Sequence, residues 1–157
     1  MTVFSNTTPF IALSSIERML LLPELFNTIR VADAVVQECL QGGPIIVPDL
    51  RSLDWIRILP DDEEIPFPVL FELDKGEKQT LVHALAFPGS LVIMDEKIGR
   101  NMAEYLGLKV VGTLGILVKA KRLGMIQSFR QEVSRMIEAG IRYSPQLVET
   151  LCAQLGE

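Results

Sequence analysis

Histidine and cysteine are nearly missing from this chain. One histidine, His83, stands among 157 residues, so a site built on several imidazoles is excluded. Cys39 and Cys152 lie far apart and make neither a disulfide framework nor a zinc-ligand spacing. A reducing, cytoplasmic setting is the expectation that follows. No apolar run approaches the roughly 18 residues that span a bilayer. No basic stretch leading into a short apolar one marks a leader segment. No membrane association is therefore expected. Internal repeats, low-complexity tracts and linker-like stretches are absent too, which leaves nothing to divide the chain.

What is present points to a folded, charged protein. Hydrophobic residues make up 48% of the chain, well above the level of disordered segments. The length suits one domain with a real core. One domain over residues 1–157 is expected, with about 125–157 as a C-terminal helical extension. The net charge of −5 is unevenly spread. Residues 1–96 hold 6 basic and 15 acidic residues, whereas 97–135 hold 8 basic residues against Glu104 and Glu132. An acidic part can hold cations and a basic segment can hold a phosphate backbone. Ordinary surface scatter accounts for the same numbers.

Strand and helix patterns alternate. A first strand is predicted at about 2–5, followed by the helix "TPFIALSSI", with Thr8 as cap and Pro9 in its first turn. "PELF" reads as a helical turn and "TIRVA" as a second strand. "DAVVQECLQGG" reads as a helix with Asp33 as N-cap and the glycine pair as stop. "PIIVPD" is an edge or loop, "DWIRILP" a strand, and "PDDEEIP" a solvated loop. "DKGEKQTLVHALAF" opens with Asp74 and Glu77 three apart, a capping-box spacing. "SLVIMD" is an apolar strand that ends on Asp95. "EKIGRNMAEYLG" is a helix stopped by Gly107, "LKVVGT" a strand, and "LGILVKAKRLG" a helix stopped by Gly124. Two further helices are predicted near 126–139 and 145–155, the last capped by Ser144 with Pro145 after it. The alternation implies an α/β fold, a mostly parallel sheet with helices on both faces.

Sites on such sheets form at the carboxyl ends of the strands. Asn6 and Asp95 fall there. Glu38 lies on the helix after the second strand, and Glu77 in the first turn of its own helix. These four can converge. Carboxylates that converge repel one another unless a hard divalent cation neutralises them, and Mg²⁺ or Mn²⁺ takes such oxygen ligands. Each residue also has a plainer reading. Glu77 fits a capping-box acid, Glu38 a solvated helix residue, Asp95 an N-cap and Asn6 a turn or cap residue. His83, Met94 and Met102 read as core or half-buried residues, and Cys39 as packing.

At these residues the chain resembles PIN-domain proteins. It is most similar to a branch of predicted nucleic-acid-binding PIN-like proteins related to VapC-type toxins. The resemblance rests on the order of "SNTTPFIAL", "AVVQECLQGG", "LDKGEKQTLVHALA", "LVIMDEKIGRNMAEYLGLKVVGTLGIL" and "YSPQLVETLCAQLGE". It implies a three-layer α/β/α fold and a Mg²⁺- or Mn²⁺-dependent ribonuclease. The implied catalytic and metal-binding positions are Asn6, Glu38, Glu77 and Asp95. Asn6 departs from the acid usual at its place, and Gln79 stands where the branch often has a second Glu. Thr7 and Thr8 match small hydroxyl residues able to bond a metal-bound water or a phosphate.

Lys97 and Arg100, on the helix after Asp95, are expected to contact RNA phosphate. Asn6 keeps an oxygen ligand but removes one negative charge. A unit charge about 4 Å from another is worth on the order of 4 kcal/mol at an effective dielectric of about 20, before desolvation. Weakened metal binding is expected. Two activities stay open: an endoribonuclease, in the toxin role of a toxin–antitoxin pair, or a weak or inactive PIN fold that binds nucleic acid or protein. The resemblance also implies a homodimer and an antitoxin-like partner. A haloacid-dehalogenase phosphatase needs two aspartates two apart after its first strand, and Asn6 and Thr8 stand there instead.

Overall fold

The computed structural model describes residues 1–65 and 67–157. Among the described residues five short strands form one sheet: β1 (Val3–Ser5), β2 (Ile29–Ala32), β3 (Ile56–Leu59), β4 (Leu91–Ile93) and β5 (Lys109–Val111). Their order is β3-β2-β1-β4-β5 and every pairing is parallel. Phe4 sits opposite Arg30 and Val92, and Ile93 sits opposite Ser5 and Val111. The expected mostly parallel sheet is thus wholly parallel. The apolar runs "VF" and "LVI" follow from it, because a parallel sheet is covered on both faces.

Side-chain alternation sends neighbouring strand residues into two cores. Val3, Ile29, Val31 and Ile93 enter the larger one. It is closed by α1 (Thr7–Ser15), α2 (Leu21–Phe26), α3 (Asp33–Gln41), α6 (Thr113–Arg122), α7 (Phe129–Glu138) and α8 (Pro145–Gln154). Phe4, Val92 and Met94 enter the smaller one, closed by a 3-10 turn at Pro68–Glu72 with α4 (Lys75–Leu85) and α5 (Lys97–Tyr105). The result is a three-layer α/β/α fold. Burying a side chain such as Phe10 or Leu13 contributes roughly 1.5–3 kcal/mol, and both are fully buried here. No helix among the described residues is long and apolar enough to cross a membrane.

The C-terminal helices are part of this packing. Val133, Met136, Val148 and Cys152 are buried in the larger core. Ser144 accepts a bond from the Leu147 N–H and Pro145 opens α8, as its sequence predicts. Gly107 and Gly124 follow α5 and α6 with φ of +83° and +74°, the left-handed turn that glycine accepts without strain.

Two predicted caps are corrected. Asn6, not Thr8, occupies the N-cap position of α1, and its side chain caps nothing. Ala32, not Asp33, holds that position on α3. The Ala34 N–H there is satisfied by the Asp61 carboxylate, at 2.9 Å. So the acidic run is only partly the solvated loop its composition suggests. Asp61 caps a helix, His83 Nε2 meets the Pro60 carbonyl at 2.8 Å, and Gln79 binds both backbone groups of Asp62 at 2.8 Å. Gln79 therefore faces this loop and latches it onto α4.

Candidate active site

Three adjacent strands end on polar residues. β1 runs into Asn6, β4 into Asp95, and β5 into Gly112 and Thr113. The ladder continues past the strands: the Asn6 N–H donates to the Ile93 carbonyl at 3.1 Å, and the Met94 N–H to the Val111 carbonyl at 2.9 Å. These pairings fix the carboxyl edge of the sheet where ligands bind in α/β folds.

Glu38 is tied to this edge from α3. Its Oε2 accepts from the Thr7 hydroxyl at 2.6 Å and its Oε1 from the Gly76 N–H at 2.9 Å. Gly76 precedes Glu77 in the first turn of α4. The Asp74 side chain caps that helix by accepting from the Glu77 N–H at 2.8 Å. Only this half of the predicted capping box forms among the described residues; the Glu77 carboxylate lies close against Gly99 of α5. Burial is the main cause that lifts the Glu77 carboxyl to about 7, followed by the side-chain interaction with Asp74 and the charges of Asp74 and Glu96.

Asp95 is held from α6. Its two oxygens accept from the backbone N–H and the hydroxyl of Thr113. Burial still raises its pKa above the ordinary carboxylate value, opposed by those bonds and by the Arg100 charge. Glu96, the next residue, is exposed and lies 3.4 Å from the Thr8 hydroxyl. Hydrogen bonds therefore tie the start of α1 to Glu38 and the first turn of α4 on one side and to Glu96 on the other. Asn6, Glu38, Glu77 and Asp95 come to one edge of the sheet from four distant stretches.

Glycine makes the close approach possible. A Cβ on Gly76 would strike the Glu38 carboxylate, one on Gly99 the Glu77 carboxylate, and one on Gly112 the Arg100 guanidinium beside Asp95. Each acid thus rests on backbone that carries no side chain.

Do these residues suit a divalent cation? Asn6 Oδ1 is buried with no hydrogen-bond partner among the described residues, a state that costs about 1–3 kcal/mol if nothing fills it. The acids around it offer oxygen alone, the donor type that Mg²⁺ and Mn²⁺ take. No three Asp, Glu, His or Cys side chains among the described residues are gathered as a metal-holding set. The donors fit a hard cation in kind, and a bound ion would have to draw them together.

Several neighbours were not legible in the sequence. A pocket of about 450 Å³ opens beside Asp95, lined among others by Thr8, Glu96, Arg100, Arg142 and Tyr143. Glu96 was hidden next to the better-placed Asp95. Thr113 and Tyr143 carry no local motif, and only the strand-end rule points toward Thr113. Burial, with the negative charge of Asp95 close by, pushes the Tyr143 phenol up. Of the two expected phosphate contacts, Arg100 lines the pocket, whereas Lys97 is exposed at the start of α5.

A family model for the PIN domain matches residues 2–157. No curated protein and no solved structure is a match for the chain. Proteins of this family are in general nucleases, typically dependent on divalent metal. The match covers nearly the whole sequence, the parallel three-layer fold agrees with it, and the chain belongs to the PIN-domain family.

Proposed function

We propose that this protein is a Mg²⁺- or Mn²⁺-dependent endoribonuclease. The observation that carries the reading is the set of contacts linking Glu38, the N-terminus of α4 and Glu96 to Thr7 and Thr8, beside Asn6, whose Oδ1 is buried and unpartnered among the described residues. Glu38, Glu77 and Asp95 would hold the ion, and Asn6 would add a neutral oxygen. The ion, when bound, supplies charge neutralisation at the phosphodiester and an acidified water. Thr7 orients Glu38 by its hydroxyl bond, and Thr113 orients Asp95 in the same way. Thr8 and Arg100 face the adjoining pocket, where a hydroxyl and a guanidinium suit phosphate oxygens. Lys97 lies further out and would act through charge alone.

Two observations favour a second reading, a weak or inactive PIN fold that binds RNA. Asn6 supplies no charge, and both Asp95 oxygens are already bonded to Thr113. Titration of Mn²⁺ into the protein, followed by calorimetry, separates the two. The nuclease reading expects saturable binding that Glu38→Gln and Glu77→Gln each weaken at least tenfold. Absence of binding at millimolar Mn²⁺ would leave the binding-module reading. The toxin role and its antitoxin partner belong to the nuclease reading; growth arrest on expression, relieved by Glu38→Gln, is their test. A homodimer is proposed with them, and a monomer by light scattering would remove it.

A further inference from the structure

The pocket beside Asp95 has a wall that the rest of the site does not explain. That wall is the segment between α7 and α8, residues 140–143, with Leu147 of α8. Gly140 turns the chain at φ +104°, and the Ile141 N–H returns to the Met136 carbonyl at 3.0 Å. Ile141 and Tyr143 then pack against the larger core. Arg142 is exposed and lines the pocket. It makes no ion pair with any described residue, and neither does Arg100.

Two guanidiniums outside any salt bridge thus border one cavity, next to Asp95 and Glu96, with the Arg100 charge felt by Asp95. A guanidinium fork matches phosphate oxygens in geometry and charge. The neighbouring acids disfavour a lone anion there. A chain of phosphodiesters can seat one phosphate on the arginines while another lies over the acidic edge.

We propose that Arg142, held by its two anchored neighbours, grips an RNA phosphate next to the one at Asp95, which makes the α7–α8 segment part of the substrate cleft. This rests on the RNA-directed reading above.

The test is binding of a labelled single-stranded oligouridine, read by anisotropy, with Mg²⁺ in the cleavage-silent Glu38→Gln background. Arg142→Ala is expected to weaken binding roughly fivefold at low salt. It should also lower the slope of log affinity against log salt by about 0.7 between about 50 and 200 mM. Arg142→Lys should keep the slope and lose only part of the affinity. Arg51→Ala is the control, since Arg51 pairs with Asp49 instead. Binding by the parent with an unchanged Arg142→Ala slope overturns this proposal and leaves the RNA reading intact. No binding by the parent overturns both.

Discussion

Thr113 donates twice to Asp95, from its backbone N–H to Oδ1 at 2.7 Å and from its hydroxyl to Oδ2 at 2.6 Å. The pair joins the end of β4 to the first turn of α6 and fixes the carboxylate's orientation. Thr113→Val keeps the shape and removes one of the bonds. It should cost about 1–2 kcal/mol of stability, read as a lower midpoint in urea. Thr113→Ser should restore most of the loss. A Val variant as stable as the parent would show that the hydroxyl bond contributes nothing.

Glu77 gives a pH signature. Its folded carboxyl titrates near 7, above the ordinary value of 4.5. The folded state therefore binds more protons than the unfolded state between about 4.5 and 7, and metal-free stability should fall as pH rises through that window. A cation competes with the same proton, so Mn²⁺ affinity should climb toward pH 7 and level off above it. Glu77→Gln should flatten both profiles. Unchanged profiles in that variant would assign the titration elsewhere.

Asn6→Asp replaces the unpartnered amide oxygen with a buried charge. Without metal the variant should melt lower than the parent, since an uncompensated buried carboxylate is costly. Mn²⁺ should raise its melting temperature more than the parent's and bind at least tenfold tighter. Equal Mn²⁺ responses in the two proteins would place Asn6 outside the metal site.

Gln79→Glu tests the latch on the acidic loop. The amide donates to the Asp62 carbonyl and accepts from the Asp62 N–H, and a carboxylate cannot do the first. A loss of about 1–3 kcal/mol is expected, with no gain in Mn²⁺ affinity. Tighter Mn²⁺ binding would return position 79 to the metal site.

Glu157 ties α7 to the strand of chain after α8. Burial raises its carboxyl, but the Ser128 hydroxyl, the Arg130 and Phe129 N–H groups and the Lys121 charge together pull it down to about 2. A depressed carboxyl stabilises above its unfolded value and loses that contribution as pH falls from about 4.5 toward 2. Glu157→Gln should cost about 1–2 kcal/mol at neutral pH, and much less near pH 2. An equal cost at both pH values would refute the assignment.

Local signals carried most of the fold. The apolar runs before Asn6 and Asp95 located β1 and β4, and Ser144 with Pro145 located α8. Asp74 marked the start of α4 because its cap lies three residues away. Signals failed where the partner is remote. The cap of α3 comes from Asp61, 27 residues beyond Ala34, so Asp33 looked like the cap by default. The role of Gln79 depends on a loop 17 residues earlier. The same holds for the site. Asp95 after an apolar strand and Glu77 in the first turn of its helix were singled out by position, and Glu38, inside α3, by the family resemblance. Thr113, Tyr143 and Arg142 were not, because only the folded chain carries α6 and the α7–α8 segment to that edge.

The most direct measurement is cleavage of a mixed single-stranded RNA pool at millimolar Mn²⁺, with the parent, Asp95→Asn and Asn6→Asp side by side. The account predicts that the parent cuts, EDTA stops it, Asp95→Asn abolishes it, and Asn6→Asp cuts at lower metal concentration. A folded parent as silent as Asp95→Asn, with or without metal, would contradict the nuclease assignment.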